Sequence, residues 1–120
     1  MDSSFGRLSK RVLDFAIERD WGKFHTPRNL ATALIVEAAE LLEHFQWATD
    51  AEIPAVVQAK REELEQEIAD VFIYLLRLSQ VLQIDLIEAT GRKVDLNIER
   101  YPADRVRGSA KKYSDYDHDN

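Results

Sequence analysis

Apolar residues recur at helical spacing along almost the whole chain. Leu8, Val12 and Phe15, continued by Arg19, stand at i, i+4, i+7 and i+11 and predict a first helix from residue 4 to about residue 20. WGKFHTPRN reads as a connector. Within it, Thr26-Pro27 reads as a helix start, a hydroxyl N-cap followed by proline at the first helical position. The second helix is expected to run to about Trp47. Residues 49–54 read as another connector, and residues 55–63 as either helix or loop. A long helix then covers residues 62–83, with Leu64, Val71, Leu75, Leu78 and Leu82 on one side and Phe72 and Leu76 on another. A helix that is apolar almost all round must be covered on every side. In so small a domain, that predicts burial between subunits. Asp85-Leu86-Ile87-Glu88 reads as a capping box with Asp at the N-cap and Glu at N3, opening a last helix that stops before Pro102.

The scarce glycines and prolines, 4 and 3, read as helix starts and stops. No stretch alternates with period two for long enough to build a sheet. The expectation is an all-α, four-helix-bundle-like subunit that oligomerises through its long helices. Its domain would span residues 1–113, leaving 114–120 as a polar, mobile tail.

Composition narrows the setting. A chain of 120 residues suffices for one domain with a real core but not for two. No apolar run approaches the roughly 18–20 residues that cross a bilayer, and MDSSFGRLSK lacks the apolar segment of a secretory signal. The absence of cysteine removes disulfides and thiolate metal sites. A cytoplasmic setting without membrane contact is expected. The net charge of -6 argues against a nucleic-acid binder. Anionic small molecules stay open, because bound cations can reverse the sign of a local site.

One acidic pattern departs from this ordinary background. In LIVEAAELLEHFQW, Glu37 points into the same arc as Leu30, Ala33, Leu34 and Leu41, and Glu40 lies one turn on at its edge. In EIADV of the long helix, Glu67 and Asp70 stand three apart on one face, with Glu67 flanked by Leu64, Val71, Tyr74 and Leu78. Burying an unpaired carboxylate costs several kcal/mol even after relaxation, and two pairs meeting in a bundle repel. Either bound cations or protonation with raised pKa values must offset this. A single Glu in so acidic a chain reads as solvated, as do Glu43, Glu62, Glu63 and Glu65; two matched pairs on apolar arcs favour a site. A di-iron bundle would use Glu-x-x-His, but here the motifs are Glu-x-x-Glu and Glu-x-x-Asp, and His44 is four residues from Glu40. Hard cations that prefer oxygen fit better: Mg²⁺, with Mn²⁺ able to substitute.

EAAE followed by EIAD resembles the Glu-x-x-Glu…Glu-x-x-Asp signature of the MazG-like all-α nucleoside triphosphate pyrophosphatases. The likeness extends through ERDWGKFHTPRNL, LIVEAAELLEHFQW, EELEQEIADVFIYL, NIERYP and RGSAKKY. Over residues 15 to about 113 it resembles the dCTP pyrophosphatase branch. The resemblance implies Mg²⁺-dependent hydrolysis of a (deoxy)nucleoside triphosphate, dCTP and 5-modified dCTP foremost, to the monophosphate and pyrophosphate. It also implies a homotetramer with sites between subunits, and Glu37, Glu40, Glu67 and Asp70 as catalytic magnesium ligands. Trp21, His25 and Trp47 would correspond to a base pocket, with Tyr74, Lys93 and Asn97 near the nucleotide.

Each of these residues also has a plainer reading. Trp21 and Trp47 stand at helix–loop junctions, as core residues or as faces that clamp a base. His25 is either a solvated loop residue or a donor to base or phosphate. Arg28 and Asn29 are either phosphate contacts or helix-start residues. Lys93, Asn97 and Arg100 form a polar stripe that is either a solvated face or a set of nucleotide contacts, and RVRGSAKKY either surface charge or phosphate cations. Two further functions stay open: a non-catalytic, cation-binding helical oligomer, and the same fold acting on dUTP or a phosphoribosyl-nucleotide.

Overall fold

The computed structural model describes residues 3–109; the tail 114–120 and the AKKY end of the basic segment lie outside the described residues. Among the described residues six helices follow in order: α1 Ser4–Glu18, α2 Pro27–Glu43, α3 Ile53–Ala59, α4 Arg61–Val81, α5 Leu86–Arg100 and α6 Ala103–Val106. No strand occurs among the described residues, as an all-α fold requires. The chain divides into two compact units, one running to Ile84 and one from Asp85 onward. In the first, α4 packs chiefly against α2 and also against α1 and α3. Ala16, Leu30, Leu64 and Leu76 are its buried apolar core. The second contains α5 and α6.

The helices start on local side-chain chemistry. Ser3 Oγ accepts the Gly6 N–H at 2.9 Å. Thr26 Oγ1 accepts the Asn29 N–H at 3.2 Å, with Pro27 in the first helical position. Asp85 Oδ1 accepts the Glu88 N–H at 3.0 Å, whereas the Glu88 carboxylate pairs with Arg92 at 3.3 Å rather than returning to the cap. Each such bond satisfies an N–H that the helix cannot.

Two helices end on a left-handed residue other than glycine. At α1, Trp21 N–H donates to Ala16 C=O and Asp20 N–H to Ile17 C=O, both at 3.0 Å. At α4, Ile84 N–H donates to Ser79 C=O at 2.9 Å and Gln83 N–H to Gln80 C=O at 3.1 Å. This is the Schellman pattern, with Asp20 (φ 54°) and Gln83 (φ 57°) in the left-handed position that glycine usually fills. Gly108 (φ 78°) follows the C-cap of α6, as expected of a helix end, whereas Gly91 lies inside α5, against that expectation.

Boundaries differ at three other places. α2 stops at Glu43, so Trp47 falls in the turn that follows it. Residues 53–59 form their own helix, separated from α4 by a backbone break at Lys60 (φ -119°, ψ 22°). The short α6 after Pro102 carried no periodic signal. Among the described residues no helix is long and apolar enough to cross a membrane.

Candidate functional site

The packing of α2 on α4 brings the two acidic pairs into one electrostatic group. Glu37, Glu67 and Asp70 are half-buried and Glu40 is exposed. Burial, first of all, pushes the Glu37 carboxyl above the usual range. A hydrogen bond with Glu40 and repulsion from Glu40, Asp70 and Glu67 push it further the same way. Glu67 Oε2 is buried without a hydrogen-bond partner. His44 Nε2 stands 2.6 Å from it, at ion-pair distance but outside hydrogen-bond geometry. A buried carboxylate oxygen met only by His44, among mutually repelling carboxylates, belongs to a donor set that a hard divalent cation fits. The four share a field rather than a finished coordination geometry, since no three acidic or histidine side chains form a ligating group among the described residues.

Beside this group lies a cavity of about 660 Å³ between α1, the following connector and α4. The Schellman end of α1 turns Trp21 back onto the helix, so that its ring meets Phe15 edge-on at 5.5 Å and His25 at 6.3 Å. Ile73 and Tyr74 line the cavity from α4, and Arg19 lays its guanidinium 3.6 Å over the Phe15 ring. Asp70 lines the cavity while also belonging to the acidic group.

Arg77 closes the cavity from α4 and is only 8% exposed. Its Nε donates to His25 Nδ1 at 2.9 Å and its Nη1 to Gln80 Oε1 at 3.1 Å. Gln80 Nε2 donates in turn to Ser9 O at 2.9 Å and Ser9 Oγ at 3.0 Å, anchoring the chain of bonds on α1. Burial and then the Arg77 charge hold His25 below the usual histidine range. Because arginine can only donate, His25 Nδ1 must accept, which assigns the remaining hydrogen of the neutral ring to Nε2.

Of the residues singled out by sequence, Trp21, His25, Asp70 and Tyr74 meet at this cavity. Trp47 does not: it is 87% exposed in the turn after α2. Arg28 is exposed at the second position of α2 and is not part of the cavity wall. Asn29 acts as a helix-start residue, its Nδ2 donating to Phe24 O at 3.0 Å. Lys93, exposed, and Asn97, half-buried, lie on α5 in the second unit. Sequence reasoning passed over Arg77 and the pairing of His44 with Glu67. A signal for Arg77 existed, since Glu67, Asp70, Tyr74 and Arg77 stand at i, i+3, i+7 and i+10 and continue one stripe of α4.

A sequence model of the MazG-like family matches residues 33–116. The chain is 50% identical over 104 residues to dCTP pyrophosphatase 1 of Rattus norvegicus, covering 85% of this chain and 61% of that protein. It is 46% identical over 107 residues to dCTP pyrophosphatase 1 of Homo sapiens, covering 88% of this chain and 63% of that protein. It thus spans 61–63% of the length of these curated relatives. A solved pyrophosphatase from Archaeoglobus fulgidus is similar at a TM-score of 0.81 and 43% identity, covering 85% of this chain and 95% of that one.

Proposed function

This chain belongs to the MazG-like family, and we propose that it is a magnesium-dependent pyrophosphohydrolase converting dCTP, and 5-modified dCTP, to dCMP and pyrophosphate. The observation that carries this reading is the group of four carboxylates bordering an aromatic cavity through Asp70. The relatives named as dCTP pyrophosphatases support the choice of base. We assign the activity to the cytoplasmic nucleotide pool.

Glu37, Glu40, Glu67 and Asp70 would hold the metal. When bound there, Mg²⁺ would supply neutralising charge for the triphosphate and for the pyrophosphate leaving group. Glu37 or Glu40 accepts a hydrogen bond from the attacking water and orients it in line with the α-phosphorus. Trp21 and Tyr74 flank the base, and His25 donates from Nε2 to base or phosphate. For Arg28, Trp47, Lys93 and Asn97 the reading keeps nucleotide contact in an assembled homotetramer. The exposure of Trp47 and of Ile68, Phe72, Leu75 and Leu82 on α4 supports assembly, since large apolar surface of this kind marks interfaces.

The test is pyrophosphate release from a panel of triphosphates with and without Mg²⁺. Glu37→Gln and Asp70→Asn should each lower turnover by at least the roughly 10–100-fold that even indirect partners of a metal site are worth, with helix content intact by circular dichroism. Near-wild-type turnover in both variants overturns the metal assignment. Absence of release from every triphosphate overturns the enzyme.

A further inference from the structure

Arg77 is a buried guanidinium without an ion-pair partner among the described residues. Among the described residues no carboxylate lies within ion-pair distance of its guanidinium, and both of its hydrogen-bond partners, His25 and Gln80, are uncharged side chains that accept from it. Leaving a buried guanidinium uncompensated is costly. Its N–H groups not taken by these two partners, Nη2 among them, belong to a side chain that lines the cavity. No Arg77 nitrogen is both buried and unpartnered, so these N–H groups are open to the cavity and free to donate to what it binds.

The lining selects the class of acceptor. Val12, Phe15, Trp21, Ile73 and Tyr74 are apolar or aromatic and suit a flat ring. The remaining charged lining is balanced, Arg11 and Arg19 against Asp14, Glu18 and Asp70, and so marks no dedicated anion site around Arg77. Arginine is a donor-only fork and matches two neighbouring acceptors on one edge of a ring. Cytosine presents such an edge, O2 beside the unprotonated N3, whereas uracil carries a hydrogen on N3.

We propose that Arg77, fixed by His25 and Gln80, is the residue that determines base specificity, donating to O2 and N3 of a cytosine ring and rejecting uracil because two donors would then face each other. The Gln80–Ser9 anchor holds the fork before ligand arrives, which limits the ordering cost of binding. This inference rests on the nucleotide-hydrolase reading above, and its test separates the two.

The experiment is calorimetric titration of dCMP, dUMP and dGMP, without metal, into the wild-type chain, Arg77→Met and Arg77→Lys, each checked by a thermal melt. The wild type should bind dCMP about tenfold or more tighter than dUMP, the scale of one good bidentate pair. Arg77→Met should bring the two within about twofold by weakening dCMP. Arg77→Lys keeps the charge without the fork, so it should lose most of the discrimination while remaining folded. Equal weakening of all ligands, an unchanged dCMP:dUMP ratio in a folded variant, or a wild type preferring dUMP or dGMP overturns the proposal. Intact dCMP selectivity without any pyrophosphate release fails the hydrolase reading alone. Turnover of dCTP with selectivity unmoved in Arg77→Lys fails this inference alone.

Discussion

His25 accepts from a charged neighbour on one ring nitrogen and lines the cavity, so its protonation state bears on stability and, in the proposed function, on binding. Its folded pKa lies below the ordinary 6.5, which means that the unfolded chain protonates first as pH falls. The stability it contributes is complete above about pH 6.5 and is lost as pH drops through that value toward the folded pKa. His25→Gln can still offer Arg77 an acceptor but does not titrate. The stability difference between wild type and His25→Gln, measured by urea unfolding from pH 7.5 to 5, should therefore shift against the wild type as pH falls. A difference independent of pH would overturn the assignment. At this scale the acidic pairs were readable, because Glu37/Glu40 and Glu67/Asp70 each reveal themselves within one helical turn. The Arg77–His25 bond was not, since its partners are 52 residues apart and only tertiary packing introduces them.

Capped helix starts were legible, as was the stop before Pro102, whereas the ends of α1 and α4 were not, and the cause is the range of the chemistry. A cap such as Thr26 or Asp85 bonds an N–H three residues on, so sequence contains both partners. The ends at Asp20 and Gln83 use left-handed residues with side chains, a choice that glycine-based rules miss. The break at Lys60 carries neither glycine nor proline, and so residues 55–63 stayed ambiguous between helix and loop. Gly91 inside α5 gives a direct test of element stability. A Cβ built there meets nothing within 4 Å, so Gly91→Ala should stabilise the chain by about 0.5–1 kcal/mol through reduced backbone freedom in the unfolded state. Urea denaturation with an unchanged m-value checks it, and a destabilised variant would show that the site tolerates no side chain.

The single chain leaves much of α4 unfinished. Ile68, Phe72, Leu75 and Leu82 are exposed, in keeping with a helix whose apolar pattern runs almost all round. That pattern predicts a partner without saying which surface would meet which, because periodicity records burial without direction. Sedimentation should find a species heavier than the 13.9 kDa chain. Leu82→Asp should shift it toward the monomer and reduce turnover with it, since completion of the sites is assigned to assembly. A monomeric, fully active wild type overturns this reading.

Asp70 is the one acidic-pair residue that also lines the cavity. The proposed function therefore gives the molecule a reaction end and a reading end that touch at a single side chain. Such a plan is modular: substitutions along the cavity wall can retune which base is accepted while the acids on α2 and α4 stay untouched. Engineering new selectivity into this scaffold would begin at Val12, Trp21 and Arg77 and hold Asp70 constant.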